Sequence, residues 1–309
     1  MQVEEELARL SPSKDMLLAI GVFDGVHLGH KHLLSQLKVH ARQEDLLSGV
    51  VTFRQHPQAV LLPRTKLPCL TDLAQRIKLL KNEGIDAIIT LSFTRELAQL
   101  STRQFIGLLK KHLRMRGLVI GPDFALGRNR EGNTDTLRTL GQDMGFSVTV
   151  IPPVVINGEV VSSTAIRNAL AGGDMKKVGN LIGRPFSLYG RVVAGAGRGI
   201  GLGFPTANLD VDRQQALPPD GVYATWAYID GKAYQSMTNI GRRPTFGDSE
   251  RAVEVYILDY HGELYGHKLR IDIIERLRRE ERFDTAEELK RQVAADIKQG
   301  RDILNQGRS

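Results

Sequence analysis

Leu17-Leu18-Ala19-Ile20-Gly21-Val22-Phe23-Asp24-Gly25-Val26-His27-Leu28-Gly29-His30 is the stretch on which the fold turns. It begins as a short apolar run and reaches the turn pair Asp24-Gly25. Residues 31–42 follow, with Leu33, Leu34 and Leu37 on one side of a helix. A strand, a turn and an amphipathic helix in that order make a β–α unit, and the pattern recurs downstream. Val50, Val51 and Phe53 mark a second strand, and residues 71–83 a helix with Leu73, Ile77 and Leu80 at helical spacing. Residues 87–91, 118–120 and 148–151 read as further strands with helical segments between them. Alternation of this kind predicts a parallel sheet flanked by helices, which binds ligands beyond the carboxyl ends of its strands.

The pattern changes near Gly183. Residues 162–182 read as two short helices split by Gly172-Gly173. After Arg184-Pro185, strand-like runs dominate at 188–193, 222–229, 233–237, 253–259 and 268–274, punctuated by turns such as Asp230-Gly231 and His261-Gly262. Short strands with turns between them predict a small antiparallel barrel. A last helix closes the chain, with a capping box at Thr285-Ala286-Glu287-Glu288. Its apolar stripe of Leu289, Val293 and Ile297 reads as core packing rather than a binding surface. The expected fold is α/β, with domains at 1–182 and 183–309.

Composition narrows the class. Of 309 residues, 41% are hydrophobic and 25% charged, as in ordinary globular proteins. The one cysteine, Cys69, excludes an intramolecular disulfide and a cysteine-based zinc site, which fits the cytosol. No apolar run approaches the ~18 residues of a membrane span. The acidic Glu4-Glu5-Glu6 start lacks the basic, then apolar, order of an export signal. A cytoplasmic protein without a membrane partner is expected. The net charge of +7 suits polyanions, whether nucleic acid or small ones such as ATP. The cluster Arg276, Arg278, Arg279 and Arg282, offset by Glu280 and Glu281, reads on charge alone as a solvated face.

Two stretches carry chemistry. The first is residues 21–30. A helix start offers free N–H groups and a positive dipole end, so it attracts phosphate. Gly25 and Gly29 leave room for a nucleotide, and His27 and His30 stand three residues apart on the first turn. Imidazoles there are placed to stabilise charge growing on a transferring phosphorus centre. A metal pair is disfavoured, because no third and fourth ligand stand at a usual spacing. The second stretch is residues 195–208. Gly195, Gly197, Gly199, Gly201 and Gly203 make a loop whose amides can wrap phosphates, or else a plain Gly-rich hairpin. Thr206 and Asn208 are neutral oxygen ligands two apart, on one face of an extended segment, and suit Mg²⁺.

These strings resemble the signatures of bacterial bifunctional riboflavin kinase/FAD synthetases. His27-Leu28-Gly29-His30 is similar to the His-x-Gly-His of the nucleotidyltransferase superfamily. Residues 52–57 resemble the family's Thr-Phe-x-Pro-His-Pro, with Gln55 in place of proline. Residues 121–127 resemble Gly-x-Asp-Phe-x-Phe-Gly, with Leu126 in place of phenylalanine, and residues 162–167 match Ser-Ser-Thr-x-Ile-Arg. Residues 195–208 resemble the riboflavin kinase signature, with Ile200 where arginine is common, and matches continue at 219–224, 239–246, 259–266 and 278–283. The basic stretch 127–132 reads as a mobile loop or, equally, a solvated turn.

The resemblance implies a Rossmann-like nucleotidyltransferase domain followed by a riboflavin kinase barrel. It implies phosphorylation of riboflavin to FMN, then adenylylation of FMN to FAD, with ATP as co-substrate and Mg²⁺ as cofactor. It implies nucleotide contacts at Gly21, Phe23, Asp24, Gly25, Gly29, Asp123, Ser162, Ser163, Thr164 and Arg167 and at the loop glycines Gly197, Gly199 and Gly201. His27 and His30 would act in adenylylation, Glu254 as the kinase base, Thr206 and Asn208 on the metal, and Arg278, Glu280 and Phe283 on the flavin. By residue type alone, Glu254 suits the polar face of an alternating strand, and Ser162 and Ser163 are helix caps. Two rivals remain. A tRNA-synthetase-like transferase lacks its Lys-Met-Ser-Lys-Ser partner here, and a nucleic-acid binder has few aromatics to stack bases, at 6%.

Overall fold

The structure, a computed structural model of the chain, describes residues 1–62, 64, 67–195, 201, 203–242 and 251–306. Contacts divide it into two units, Met1–Ser163 and Thr164–Ser309.

The first unit runs α1 (Gln2–Ala8), β1 (Met16–Ile20), α2 (Leu28–Gln43), β2 (Leu47–Phe53), α3 (Pro57–Leu61), α4 (Leu73–Asn82), β3 (Ala87–Leu91), α5 (Arg95–Gln99), α6 (Thr102–Leu113), β4 (Met115–Ile120), α7 (Thr134–Met144), β5 (Ser147–Val150), β6 (Val155–Ile156) and β7 (Glu159–Val160). Among the described residues, β1 to β5 form a parallel sheet in the order β3-β2-β1-β4-β5. Strand β1 is buried on both faces, so it reads as an unbroken apolar run. Leu17 and Ala19 pack with Leu34 and Leu37 of α2 and Leu80 of α4. Leu18 and Ile20 pack on the other side with Ile106 of α6 and Leu137 of α7. The order reverses between β1 and β4, and the crevice at such a switch point is where open α/β sheets bind ligands. The stretch 21–30 leaves β1 at that point.

Two local readings change. Helix α4 starts at Leu73 rather than residue 71, because the Thr71 amide and hydroxyl are engaged by Asp24 and Asp72 takes the N-cap. The acidic start is helix α1, docked by buried Val3 and Leu7 and by Glu6, which accepts from the Ser92 amide at 2.8 Å and hydroxyl at 2.7 Å.

The second unit takes in most of α8 (Ser163–Gly172), then α9 (Met175–Ile182), β8 (Phe186–Val193), β9 (Ala207–Val211), β10 (Gly221–Ile229), β11 (Lys232–Arg242), β12 (Arg251–Ile257), β13 (Lys268–Arg279) and α10 (Ala286–Gln306). Strands β8 to β13 close into an antiparallel barrel in the order β10-β11-β12-β9-β8-β13. Strand β9 was not predicted as a strand; its two neighbours supply the pairing that its glycine-rich approach hides. Helix α9 packs on β8 and β13, with Val178, Leu181 and Ile182 buried. Thr285 caps α10 by accepting from the Glu288 amide at 3.2 Å, while the Glu288 carboxylate accepts from Asp284 N at 3.2 Å.

Candidate active sites

In the first unit, the loop between β1 and α2 is held in a conformation that side chains rarely adopt. Phe23 has φ 53° and Val26 φ 38°, and a β-branched residue in the left-handed region is a strained outlier. Asp24 holds the turn. One carboxylate oxygen accepts from Leu70 N at 2.9 Å and the other from Thr71 N at 3.0 Å. Its backbone carbonyl accepts from the Ser163 hydroxyl at 3.0 Å. Asp24, expected as a nucleotide contact, therefore anchors the loop. Gly25 needs its φ of +82° for the turn, and its N–H donates to Thr71 Oγ1 at 3.0 Å.

His27 caps α2 and accepts the His30 N–H on Nδ1 at 3.3 Å. The two imidazoles stack at 3.6 Å between centroids, and Phe23 leans on His30 at 5.1 Å. A Cβ on Gly29 would sit 3.1 Å from the Val161 carbonyl and 3.2 Å from the His27 ring, so glycine permits this stack. Burial first, then neighbouring His27 and the Arg76 guanidinium, hold the His30 pKa well below the ordinary imidazole range. His30 is therefore neutral at pH 7, and its Nδ1 has no hydrogen-bond partner. A neutral imidazole at a helix start can donate to a phosphate oxygen without carrying charge of its own.

Gly21, Phe23, Asp24, Gly25, His27, Gly29 and His30 thus lie in one loop and helix start, and Ser163, the first residue of α8, joins them through the Asp24 carbonyl, with Ser162 before it in sequence. Asp123 is exposed beyond β4, and its carbonyl accepts from Arg130 at 3.3 Å. The basic stretch is anchored rather than loose: Leu126 pairs with Gly132, Arg128 N reaches Leu100 O, and Glu131 accepts from Thr102 N at 2.8 Å. Gln55, at the departure from the proline, accepts from Phe93 N at 3.2 Å. Thr164 and Arg167 lie on α8 in the second unit.

The second unit holds a cavity of about 600 Å³. Thr206, Glu254, Arg278, Glu280 and Phe283 all line it, so the expected base and flavin residues and one of the two expected metal ligands converge there, while Asn208 is not part of the lining. Alternation along β12 accounts for Glu254: Val253, Val255 and Ile257 are buried, and Glu254 and Tyr256 face the cavity. Asn208 of β9 and Asn239 of β11 stand directly opposite Glu254 on either side. Cross-strand partners share a face of the sheet, which puts two neutral amides beside one carboxylate. A Cβ on Gly195 would run into the Asn208 amide. Gly201 is exposed, whereas Gly197, Gly199 and Ile200 lie outside the described residues, as does the 243–246 part of the match.

The arginine cluster is only partly a solvated face. Arg279 and Arg282 are exposed, but Arg276 donates to the Asp220 carbonyl. Arg278 binds the buried Asp296 carboxylate through Nε at 3.0 Å and Nη2 at 2.9 Å, with its guanidinium 5.5 Å from the Phe283 ring. Burial first, then Asp220, push the Glu280 pKa up; Glu254 adds to this, while a hydrogen bond from Asn239 opposes it. The expectation for the α10 stripe is corrected. Leu289 and Val293 are half-buried and line the cavity, and only Ile297 packs against the core of the barrel's outer face. The stripe divides because its first turns face the cavity shared with Phe283 and Thr285, while its later residues meet the apolar cluster of Ala224, Met237 and Leu304.

Sequence reasoning gave no role to Arg76 or Asp296, and took Asn239 only as the first residue of the 239–246 match. Arg76 had a signal: with Leu73, Ile77 and Leu80 it completes an i, i+3, i+4, i+7 stripe, so a cation stands at a core position. Asp296 has the same signature beside Val293 and Ile297.

Known proteins match both halves of the chain. The FAD synthetase family profile covers residues 10–165 and the riboflavin kinase profile residues 182–304. The bifunctional riboflavin kinase/FMN adenylyltransferase of Pseudomonas fluorescens is 37% identical over 98% of each chain. That of Escherichia coli K12 is 37% identical over 95% of this chain and 94% of its own, and that of Bacillus subtilis 34% over 91% and 90%. A crystal structure described as a macrolide-efflux protein from Streptococcus pneumoniae superposes with a TM-score of 0.89 at 30% identity, covering 97% of each chain. Among the described residues no helix is long and apolar enough to cross a membrane. Two profiles in succession, one per site, and relatives aligned over nearly their whole length place the chain in the bifunctional riboflavin kinase/FMN adenylyltransferase family.

Proposed function

We propose that the chain phosphorylates riboflavin to FMN with ATP and then adenylylates FMN to FAD, in the cytoplasm, with Mg²⁺. The carrying observation is the single cavity that collects Thr206, Glu254, Arg278, Glu280 and Phe283. In phosphorylation, the riboflavin 5′-hydroxyl attacks the γ-phosphorus of ATP, Glu254 accepts its proton, and ADP leaves. Half-buried apolar groups at Leu289, Val293 and Phe283 offer the isoalloxazine ring a surface. Thr206 and Asn208 would hold the metal, which supplies charge neutralisation on the phosphates. The donor set fits: two neutral oxygens beside one carboxylate suit an ion that keeps most of its water. No group of three His, Cys, Asp or Glu side chains positioned to hold a metal occurs among the described residues.

In adenylylation, an FMN phosphate oxygen attacks the α-phosphorus of the second ATP, and pyrophosphate leaves. His27 and His30 donate hydrogen bonds to charge developing there, and the start of α2 adds its N–H groups. Ser162 and Ser163 would hold phosphate oxygens, with Gly21, Phe23 and Asp123 bordering the nucleotide. Functionally, 1–182 is the adenylyltransferase and 183–309 the kinase, a division supported by the profile edges at 165 and 182. Incubating the chain with riboflavin, ATP and Mg²⁺ and resolving flavins by chromatography tests the reading. FMN and FAD are expected, and their joint absence refutes it.

A further inference from the structure

Arg76 is a buried cation that no step above employs. Its side chain is 5% exposed, on α4, at a position of the stripe that otherwise carries Leu73, Ile77 and Leu80. Nη1 donates to the Val22 carbonyl at 2.6 Å and Nη2 to the Phe53 carbonyl at 2.8 Å. Thr52 Oγ1 also donates to Val22 O, at 3.0 Å. The fork of the guanidinium therefore ties the carboxyl end of β1 to that of β2, at the root of the strained loop. Lysine has no such planar fork. Among the described residues, Nε of Arg76 and Nδ1 of His30 are both buried without a hydrogen-bond partner, and unsatisfied buried polar atoms call for a reason.

We propose that Arg76 is a positioning residue for adenylyl transfer, clamping the Val22 and Phe53 carbonyls so that the loop delivers His27 and His30 to the nucleotide. The inference rests on reading those histidines as the adenylylation site. The clamp also places a cation near His30. The groups acting on His30 are His27, at its own helix start, and Arg76 from α4. Asp24 on the loop, Cys69 and Asp72 at the α4 N-cap act in turn on Arg76. A positive charge there helps keep His30 unprotonated, so one side chain serves both geometry and protonation state.

The test uses the full chain, with FAD formation from supplied FMN, riboflavin phosphorylation on the same sample, and His30 titration by imidazole NMR. Arg76→Met should slow FAD formation by up to about 100-fold, as for a misplacement of roughly 1 Å near reacting atoms. Phosphorylation should persist, and the His30 pKa should rise while staying below its ordinary value, since burial and His27 still hold it down. Arg76→Lys keeps the charge and loses the fork. It should lose FAD rate by an intermediate factor while His30 still titrates low, and it decides the matter if Arg76→Met does not fold. A native FAD rate in either variant overturns the proposal. So does a slowed Arg76→Met enzyme whose His30 titrates as in the native chain, since that marks mere packing. If the native chain itself makes no FAD, the underlying reading fails instead.

Discussion

The imidazoles of His27 and His30 lie face to face, their planes 19° apart, while Nδ1 of His27 accepts the His30 backbone N–H. Because Nδ1 accepts there, Nε2 is the nitrogen of His27 that carries a ring proton. His30→Ala removes one donor from this pair. By analogy with an oxyanion-hole donor, FAD formation should fall by about 2.7–4 kcal/mol of transition-state stabilisation. FMN formation should continue, and parallel loss of both activities would point to misfolding.

The same pair sets an acid limit. Because the folded-state pKa of His30 lies below the ordinary 6.5, the unfolded chain takes up that proton first as the pH falls. Stability from neutral His30 is present above about 6.5 and is lost as the pH drops from there toward the folded value. Thermal melts of the native chain should fall across that window, and His30→Gln should flatten the fall.

In the barrel, Glu254→Gln should stop riboflavin phosphorylation while FAD formation from supplied FMN persists. Gly195→Ala should act on the same site without touching the base, because its Cβ displaces the Asn208 amide that stands opposite Glu254. Near-native phosphorylation by Glu254→Gln would remove the base assignment.

Glu280 links function to stability. Its folded-state pKa is raised by burial, then by Asp220, with Glu254 adding, so its ionisation disfavours the fold. The stability it contributes is present below the ordinary 4.5 and lost as the pH rises through the folded value. Glu280→Gln should therefore raise the melting temperature at pH 7 and lower kinase activity. A lower melting temperature would refute the first half.

Leu289 separates a cavity wall from a core. A buried leucine costs about 2–5 kcal/mol on truncation to alanine. Half-buried Leu289 should cost under about 1.5 kcal/mol on a smaller loss of contact, yet weaken riboflavin binding measured by flavin fluorescence. A full core penalty would restore the packing role that its spacing implied.

Much of this was legible in the residues. The unbroken apolar run at β1 and the alternation of strand and helix patterns after it marked a parallel sheet flanked by helices, and alternation at β12 placed Glu254 on a polar face. What escaped depends on partners distant in sequence. Strand β9 exists through β8 and β12, which no local pattern announces. The anchoring of Asp24 to Leu70 and Thr71, 46 and 47 residues away, is likewise invisible to local reading. Leu289 and Ile297 share one helical stripe, yet Leu289 lines the cavity and Ile297 packs on the barrel's apolar cluster.

The strained turn between β1 and α2 bears on the heat of binding. Asp24, Thr71, Ser163 and Arg76 immobilise it while the domain folds, with Phe23 and Val26 already in the left-handed region. A nucleotide arriving there has little backbone left to order, so binding need not offset the entropy loss of a folding loop. Calorimetry of ATP binding should then show a modest heat-capacity change, without the large signature of coupled ordering. In this domain, discrimination among nucleotides falls to the shape of a frame set in advance, and a poorly fitting base cannot recruit the loop to accommodate it.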